Sequence, residues 1–333
     1  MSTVLLLGVI GASFAASAVG VGLFRRAAVL AQIVDVPNAR SSHSRPTPRG
    51  AGVVFVLVIG GVWLWTRQFE VALATGAALS AIVIAGLSGV DDLRPLGSGV
   101  RLLVHFGCAT VAVLSIARAP AAFPWIPALL ILSIVWVVGL TNVYNFMDGI
   151  DGISATQAVV TGAAVAIAAR HVGSAAAMTI GAAIVGVSAG FLVHNWPPAR
   201  VFMGDVGSAF LGFTFAVLML DIARSSVGAA ILIVLSLWPF LFDASVTLIR
   251  RALAGENILT AHRSHLYQRL VIAGWSHARV SVLYGLAAAS GAAVAFWGMM
   301  RPADAPMVFA LVPLMAAGLW LIVQRQEARA KSR

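Results

Sequence analysis

The stretch Trp125-Ile-Pro-Ala-Leu-Leu-Ile-Leu-Ser-Ile-Val-Trp-Val-Val-Gly-Leu-Thr-Asn-Val-Tyr-Asn145-Phe-Met-Asp148-Gly-Ile-Asp151-Gly152 decides the fold. Residues 125–144 carry no charge, and about 20 apolar residues are what an α-helix needs to cross roughly 30 Å of hydrocarbon. The run then ends on two amides, Asn142 and Asn145, and two carboxylates, Asp148 and Asp151, beside glycines that let backbone approach a ligand. A carboxylate at the edge of a bilayer is costly unless it meets a cation, a partner or water. A spanning helix that ends on paired acids therefore suggests a site at the membrane face.

The same pattern continues in both directions. Apolar windows of spanning length lie at about 3–24, 50–66, 71–90, 99–118, 125–144, 153–170, 174–193, 206–222, 227–249, 280–299 and 305–323. They predict an all-α integral membrane protein of about eleven transmembrane helices, a single polytopic unit over residues 1–333. Composition agrees: 60% of residues are hydrophobic and 10% charged, against roughly a quarter charged in soluble domains. Frequent glycine and alanine suit close helix contact in lipid. The lone Cys108 excludes a disulfide framework and reads as a small packed residue. The net charge of +10 does not indicate nucleic acid, because the arginines stand between apolar runs instead of clustering with aromatics.

Those arginines set the expected topology. With eleven spans, seventeen Lys and Arg fall on the side reached by the odd-numbered helix exits, and five (Arg67, Arg118, Arg170, Arg224, Arg301) fall on the other. The positive-inside rule makes the first side cytoplasmic, with the N-terminus outside and the C-terminus inside. Arg25-Arg26 follow the first span instead of preceding it, which favours an uncleaved helix over a signal peptide. The long loops, about 25–49, 91–98, 145–152, 194–205 and 250–279, then all lie on the cytoplasmic side. So do Asp91, Asp92, Asp148, Asp151 and Asp205. With Asp243, six of the twelve acidic residues stand in four short places.

Grouped acids suggest a metal, and a metal suggests phosphate substrates. Mg²⁺ takes one or two carboxylates, waters and substrate phosphates, whereas structural zinc would want Cys and His. Phe202-Met-Gly-Asp205-Val-Gly-Ser208 places a carboxylate in a glycine-flanked turn opening the eighth span. His262-Arg263-Ser-His265 lies in the longest loop; it reads as a diphosphate contact, a zinc fragment without a third ligand, or a surface helix. The loop from Asp35 to Gly52 contains His43, Arg45, Thr47 and Arg49. Its prolines and glycines argue against regular structure, and it reads as an anion-binding flap or a flexible segment. His105 and Asp243 stand inside spans and read as hydrogen-bonded packing groups.

These blocks resemble the polyprenyl-phosphate N-acetylhexosamine-1-phosphate transferases of glycosyltransferase family 4. Pro46-Thr47-Pro48-Arg-Gly-Ala-Gly52, Asp91-Asp92, Asn145-Phe-Met-Asp148-Gly-Ile-Asp151-Gly152, Phe202-Met-Gly-Asp205-Val-Gly-Ser208 and His262-Arg-Ser-His265 are similar to the family's motifs and occur in family order. The resemblance covers about residues 35–270. It implies Mg²⁺-dependent transfer (Mn²⁺ substituting) of a sugar 1-phosphate from a UDP-N-acetylhexosamine to undecaprenyl phosphate, in the bacterial cytoplasmic membrane. Asp205 resembles the metal ligand, with Asp91 beside it. Asp91 also resembles the base on the lipid phosphate, with Asp92 or direct attack by the dianion as alternatives. Asp148 and Asn145 would line the cleft, Asp151, Asn195 and Phe202 would lie near the uracil, and His262, Arg263 and His265 near the diphosphate or sugar.

Departures bear on the sugar. Enzymes of this family that use the muramoyl-pentapeptide donor carry three consecutive histidines and a lysine before the Thr-Pro motif. Here His-Arg-Ser-His stands instead, and His43 or Arg45 is the nearest positive residue. That favours the branch that starts O-antigen or other surface polysaccharides with GlcNAc or a 6-deoxy-HexNAc such as FucNAc or QuiNAc. A homodimer is compatible with this reading. The readings of another class are a multi-span anion transporter and an inactive scaffold. Transporters place polar groups near the midplane, often in repeated halves, and neither feature is seen; a scaffold has no use for the acids.

Overall fold

The fold is given by a computed structural model that describes residues 2–37, 45–66, 75–117, 127–257, 260 and 262–332. Among these residues the chain forms α1 (Thr3–Leu30), α2 (Val53–Thr66), α3 (Thr75–Leu93), α4 (Ser98–Ala117), α5 (Pro127–Phe146), α6 (Ile153–Val172), α7 (Ala175–Asn195), α8 (Asp205–Ala223), α9 (Val227–Ser236), α10 (Trp238–Leu253), α11 (Leu266–Ile272), α12 (His277–Met300) and α13 (Ala305–Lys331). Nine of them are long and apolar enough to cross a membrane. The α9–α10 pair adds a tenth span, and α2 is a shorter apolar helix. The protein is thus an all-α multi-span membrane protein, and each of the eleven expected windows holds a helix.

Three features differ from the sequence reading. The ninth window is broken, because the axis turns by 66° at Leu237 between α9 and α10. Pro239 in the first turn of α10 cannot donate to the preceding turn. The carbonyl of Ser236, at the break, instead accepts from Gln157 Nε2 at 2.7 Å. α1 runs on to Leu30, so Arg25 and Arg26 are helical. The Asp35–Gly52 loop contains a two-residue antiparallel pairing, β1 (Val34–Asp35) with β2 (Thr47–Pro48). The prolines of this loop do not prevent a short clasp at its base.

α6, α7 and α8 are the most deeply buried helices, whereas α1 and α13 lie at the periphery. Phe210, Phe213 and Phe215 of α8, Phe240 of α10 and Tyr144 of α5 are fully buried. Close packing depends on small residues, as expected where lipid removes the hydrophobic drive between helices. Gly212 of α8 lies against α5, where an added Cβ would come within 2.7 Å of the Leu140 carbonyl and of Tyr144 Cβ. α1, α3, α5 and α7 end, and α2, α4, α6 and α8 begin, at one end of the bundle, where hydrogen bonds join their loops.

Gly212→Ala is expected to force α8 and α5 apart and destabilise the protein by about 1–3 kcal/mol. Gly139→Ala, where a Cβ meets nothing within 4 Å, is expected to be close to neutral. Thermal unfolding of both variants in detergent checks the difference.

Candidate active site

The site forms where α3 ends and α8 begins. α8 opens at Asp205 after Gly204, whose φ of +76° places it in the left-handed region. The first helical N–H groups have no partner within the helix, and Asp92 in the last turn of α3 supplies one. Its Oδ1 accepts from Asp205 N at 2.9 Å and its Oδ2 from Val206 N at 3.1 Å. A carboxylate at a helix N-terminus also gains from the helix dipole. A Cβ on Gly204 would lie 2.5 Å from Asp92 Oδ2, so glycine is required here. Asp92 is 5% exposed and also pairs with Arg49 Nε at 2.8 Å. Its oxygens thus hold the α8 start in place.

Two arginines complete the cluster. Arg49 reaches it through a zipper of backbone bonds: Phe202 N to Pro48 O at 2.7 Å, Ala51 N to Phe202 O at 3.1 Å, and Gly52 N to Met203 O at 2.8 Å. Its guanidinium bridges Asp92 and Asp205 Oδ1. Arg101, in the first turn of α4, places Nη1 2.7 Å from Asp91 Oδ2 and 3.4 Å from Asp205 Oδ2. Asp91 Oδ1 accepts from Leu96 N at 2.6 Å, which fixes the α3–α4 turn. Three carboxylates against two guanidiniums leave one negative charge in excess.

Asn145, at the end of α5, donates to Asp205 Oδ2 at 3.2 Å and accepts from Ser208 Oγ at 2.7 Å. Asn195 joins the two neighbouring loops, accepting from Gly152 N at 2.9 Å and donating to Val201 O at 2.8 Å. Asp151 Oδ2 accepts from Ala199 N at 3.0 Å and lies 3.3 Å from His277 Nδ1. Phe202 is half-buried, with its backbone in the zipper. Thr47 is buried and donates to the Arg45 carbonyl at 3.0 Å, while Arg45 is exposed. His43 lies outside the described residues.

The histidine segment is positioned by a second buried carboxylate. Asp243 of α10, fully buried, accepts from Leu266 N at 2.7 Å, Tyr267 N at 3.0 Å and Tyr284 Oη at 2.6 Å, and lies 3.2 Å from His265 Nδ1. His265 stacks on Tyr267 and sits 4.9 Å, ring to ring, from His262. Tyr267 Oη donates to Phe146 O at 3.1 Å, so the residue after Asn145 meets the histidine segment. The acid and histidine clusters therefore share the end of α5. Arg263 is half-buried beside them.

Asp91, Asp92, Asp205 and Asn145 come together as the motifs suggested. Asp148 is electrostatically coupled to Asp205, Asp92 and Arg49. The sequence reading placed Arg49 in the anion-binding flap without naming its partners, assigned Arg101 to topology only, gave Asp243 a packing role and left His277 out. The signal for the arginines was the scarcity of acid itself, since grouped carboxylates at a membrane edge need cations.

Charges in the loops are tuned by this packing. Burial works against the Arg49 guanidinium, but Asp205 and Asp92 outweigh it and raise its pKa further. Burial, reinforced by Asp205, pushes the Asp148 carboxyl up to about 7. Burial and then His265 lower His262 to about 4, leaving it neutral at pH 7. A divalent cation fits the donors present: one carboxylate oxygen each from Asp91 and Asp205 faces a single cationic nitrogen of Arg101. Two hard oxygen donors are the ligand type Mg²⁺ takes from a protein. Among the described residues no group of three or more His, Cys, Asp or Glu is spaced as a closed cage.

Two outcomes follow from this geometry. Asp92→Ala is expected to cost about 1–2 kcal/mol through the lost cap of α8, read as a lower melting temperature. Asp148 binds its proton more tightly folded than unfolded, so its contribution to stability is largest near pH 4 and is lost as pH rises through about 7. Asp148→Asn is expected to flatten that decline in unfolding measured across pH 4 to 8.

Comparison with known proteins places the sequence in a family. Residues 74–223 match glycosyl transferase family 4. A probable undecaprenyl-phosphate N-acetylglucosaminyl 1-phosphate transferase of Bacillus subtilis is 31% identical, covering 78% of this chain and 75% of that protein. The decaprenyl-phosphate N-acetylglucosaminephosphotransferase of Mycobacterium tuberculosis is 28% identical over 88% of this chain and 83% of its own. A phospho-N-acetylmuramoyl-pentapeptide-transferase of Latilactobacillus sakei is 30% identical over 72% and 80%. On this similarity the chain belongs to glycosyl transferase family 4, within the polyprenyl-phosphate N-acetylhexosamine-1-phosphate transferases.

Proposed function

We propose that this protein transfers an N-acetylhexosamine 1-phosphate, with GlcNAc the first choice and a 6-deoxy-HexNAc the second, from its UDP-sugar to undecaprenyl phosphate. The product starts a cell-envelope polysaccharide such as an O-antigen. The observation that carries the reading is the convergence of Asp91, Asp92, Asp205 and Asn145 with Arg49 and Arg101 at one end of the bundle. That end carries the positively biased loops, so it is taken as the cytoplasmic face of a bacterial inner membrane. A lipid head group and a cytosolic nucleotide meet there. Two relatives named for GlcNAc transfer favour that sugar, and His262-Arg-Ser-His265 disfavours the pentapeptide donor.

In this reaction an oxygen of the lipid phosphate attacks the β-phosphorus of the UDP-sugar. The bond to the bridging oxygen breaks, and UMP leaves with both electrons. A phosphate monoester has its second pKa near 6, so at neutral pH the nucleophile is largely dianionic. Asp91 takes the proton of the monoanion at lower pH. Asp92 is the weaker candidate for that role, because its oxygens hold the α8 N-terminus. Arg49 and Arg101 neutralise charge as the two anions approach. Asn145 orients the Asp205 carboxylate, and neutral His262 offers a hydrogen bond to the diphosphate or sugar. Mg²⁺ held by Asp205 and Asp91 would draw charge from the diphosphate and make UMP a better leaving group.

UMP release by purified protein with undecaprenyl phosphate and Mg²⁺ is expected with UDP-GlcNAc or a 6-deoxy-HexNAc donor, and EDTA is expected to abolish it. Asp205→Asn should lower turnover by on the order of 10²-fold or more while leaving the melting temperature within a few degrees. Turnover with UDP-MurNAc-pentapeptide alone would move the protein to peptidoglycan synthesis. Silence with every donor would refute the transferase reading.

A further inference from the structure

α13 lies at the periphery, and among its described side chains only Leu319 and Val323 are buried. Beside that narrow stripe stand three polar or aromatic residues, Trp320, Gln326 and Glu327, and all three are engaged around α11. Arg269 of α11 makes a two-pronged ion pair with Glu327, Nε to Oε1 at 2.7 Å and Nη2 to Oε2 at 2.6 Å. The same guanidinium lies over the Trp320 ring at 5.7 Å, and Arg250 of α10 lies 5.9 Å from that ring. Gln326 Nε2 donates to the carbonyl of Ala273, the residue that closes α11, at 2.9 Å.

α11 is only seven residues long. An isolated helix needs about 12–15 residues to be even marginally stable in water, so α11 must be held by its neighbours. Asp243 holds its N-terminal end and the adjoining His265. Its C-terminal end is held by α13. The Arg269–Glu327 pair is largely shielded, with side-chain exposures of 14% and 26%, and two-pronged arginine–carboxylate geometry is the directional form of this interaction.

We infer that α13 acts as a strut for the histidine segment, with Glu327 as a positioning residue that sets His265 and His262 through Arg269 and α11. Glu327 itself touches neither cluster of the site. A link between a peripheral helix and the site then follows, because any force that displaces the last turns of α13 would displace the histidines. The effect on turnover rests on the transferase reading, whereas the effect on histidine position does not.

The test compares Glu327→Ala, the milder Glu327→Gln, and Arg325→Ala on the exposed face of the same helix. In Glu327→Ala, amide exchange across residues 266–272 and modification of His265 by diethyl pyrocarbonate are expected to rise roughly tenfold, as for a locally opened segment. Glu327→Gln should give a smaller rise, and Arg325→Ala none. If wild-type protein transfers sugar, kcat of Glu327→Ala should fall by about tenfold, since a misplacement near 1 Å has effects of that order or larger. That loss should shrink in a His262→Ala background, because coupled residues do not add. Unchanged exchange and unchanged His265 modification in Glu327→Ala would overturn the inference whether or not the protein is a transferase. A loss of kcat that multiplies independently with His262→Ala would overturn it as well. Absence of transfer in the wild type would refute only the transferase reading, and the exchange result would still decide the role of Glu327.

Discussion

The acidic end of this molecule depends on one contact, the Asp92 carboxylate on the first two N–H groups of α8. A helix that begins at a membrane face has unpaired donors to satisfy, and leaving them bare in a partly dry setting is expensive. By supplying the acceptor from α3, the fold fixes the position of Asp205, the first residue of α8. Arg49 then binds Asp92 and Asp205 together, and the backbone zipper that delivers Arg49 also fixes Phe202 and Met203. Without Asp92, three separate segments would lose their common anchor.

The same device recurs at the histidine segment. Asp243 accepts from the first two N–H groups of α11 and lies against His265, which immediately precedes that helix. In both places a buried carboxylate caps a helix and a functional candidate stands at the helix start. Phe146, next to Asn145, receives the Tyr267 hydroxyl, so the two capped starts are held against the same end of α5. Charge balance supports this economy of acids. Among few carboxylates in an apolar chain, each of Asp92, Asp205 and Asp243 makes several bonds, as polar groups shielded from water do.

The readable part of the site was its chemistry. Asp91, Asp92, Asn145 and Asp205 could be picked out because charged and amide residues are scarce in an apolar chain and stood at span ends. Their division of labour was not readable: Asp91 and Asp92 are neighbours in sequence, yet one faces Arg101 and the other caps α8. Asn195 and Asp151 resembled substrate contacts, and the structure shows them joining loops as well. Arg49 lay in the loop read as an anion-binding flap and Arg101 among the topology arginines, but neither carried a signal for its contact with Asp205, which lies 156 and 104 residues away.

The amino-acid sequence by itself determined the class of the fold and the number of apolar windows. Hydrophobic length along one chain is a local property, and the bilayer imposes it span by span. It also determined which residues can bind a cation or a phosphate. Only the tertiary structure decided that α9 and α10 meet at a 66° break, that two carboxylates serve as caps, and that a seven-residue helix stands between Asp243 and Glu327. Those outcomes depend on donors and acceptors brought together from distant segments. Hydrogen bonds of 2.6–2.9 Å between distant segments leave no periodicity in the sequence from which they could be read.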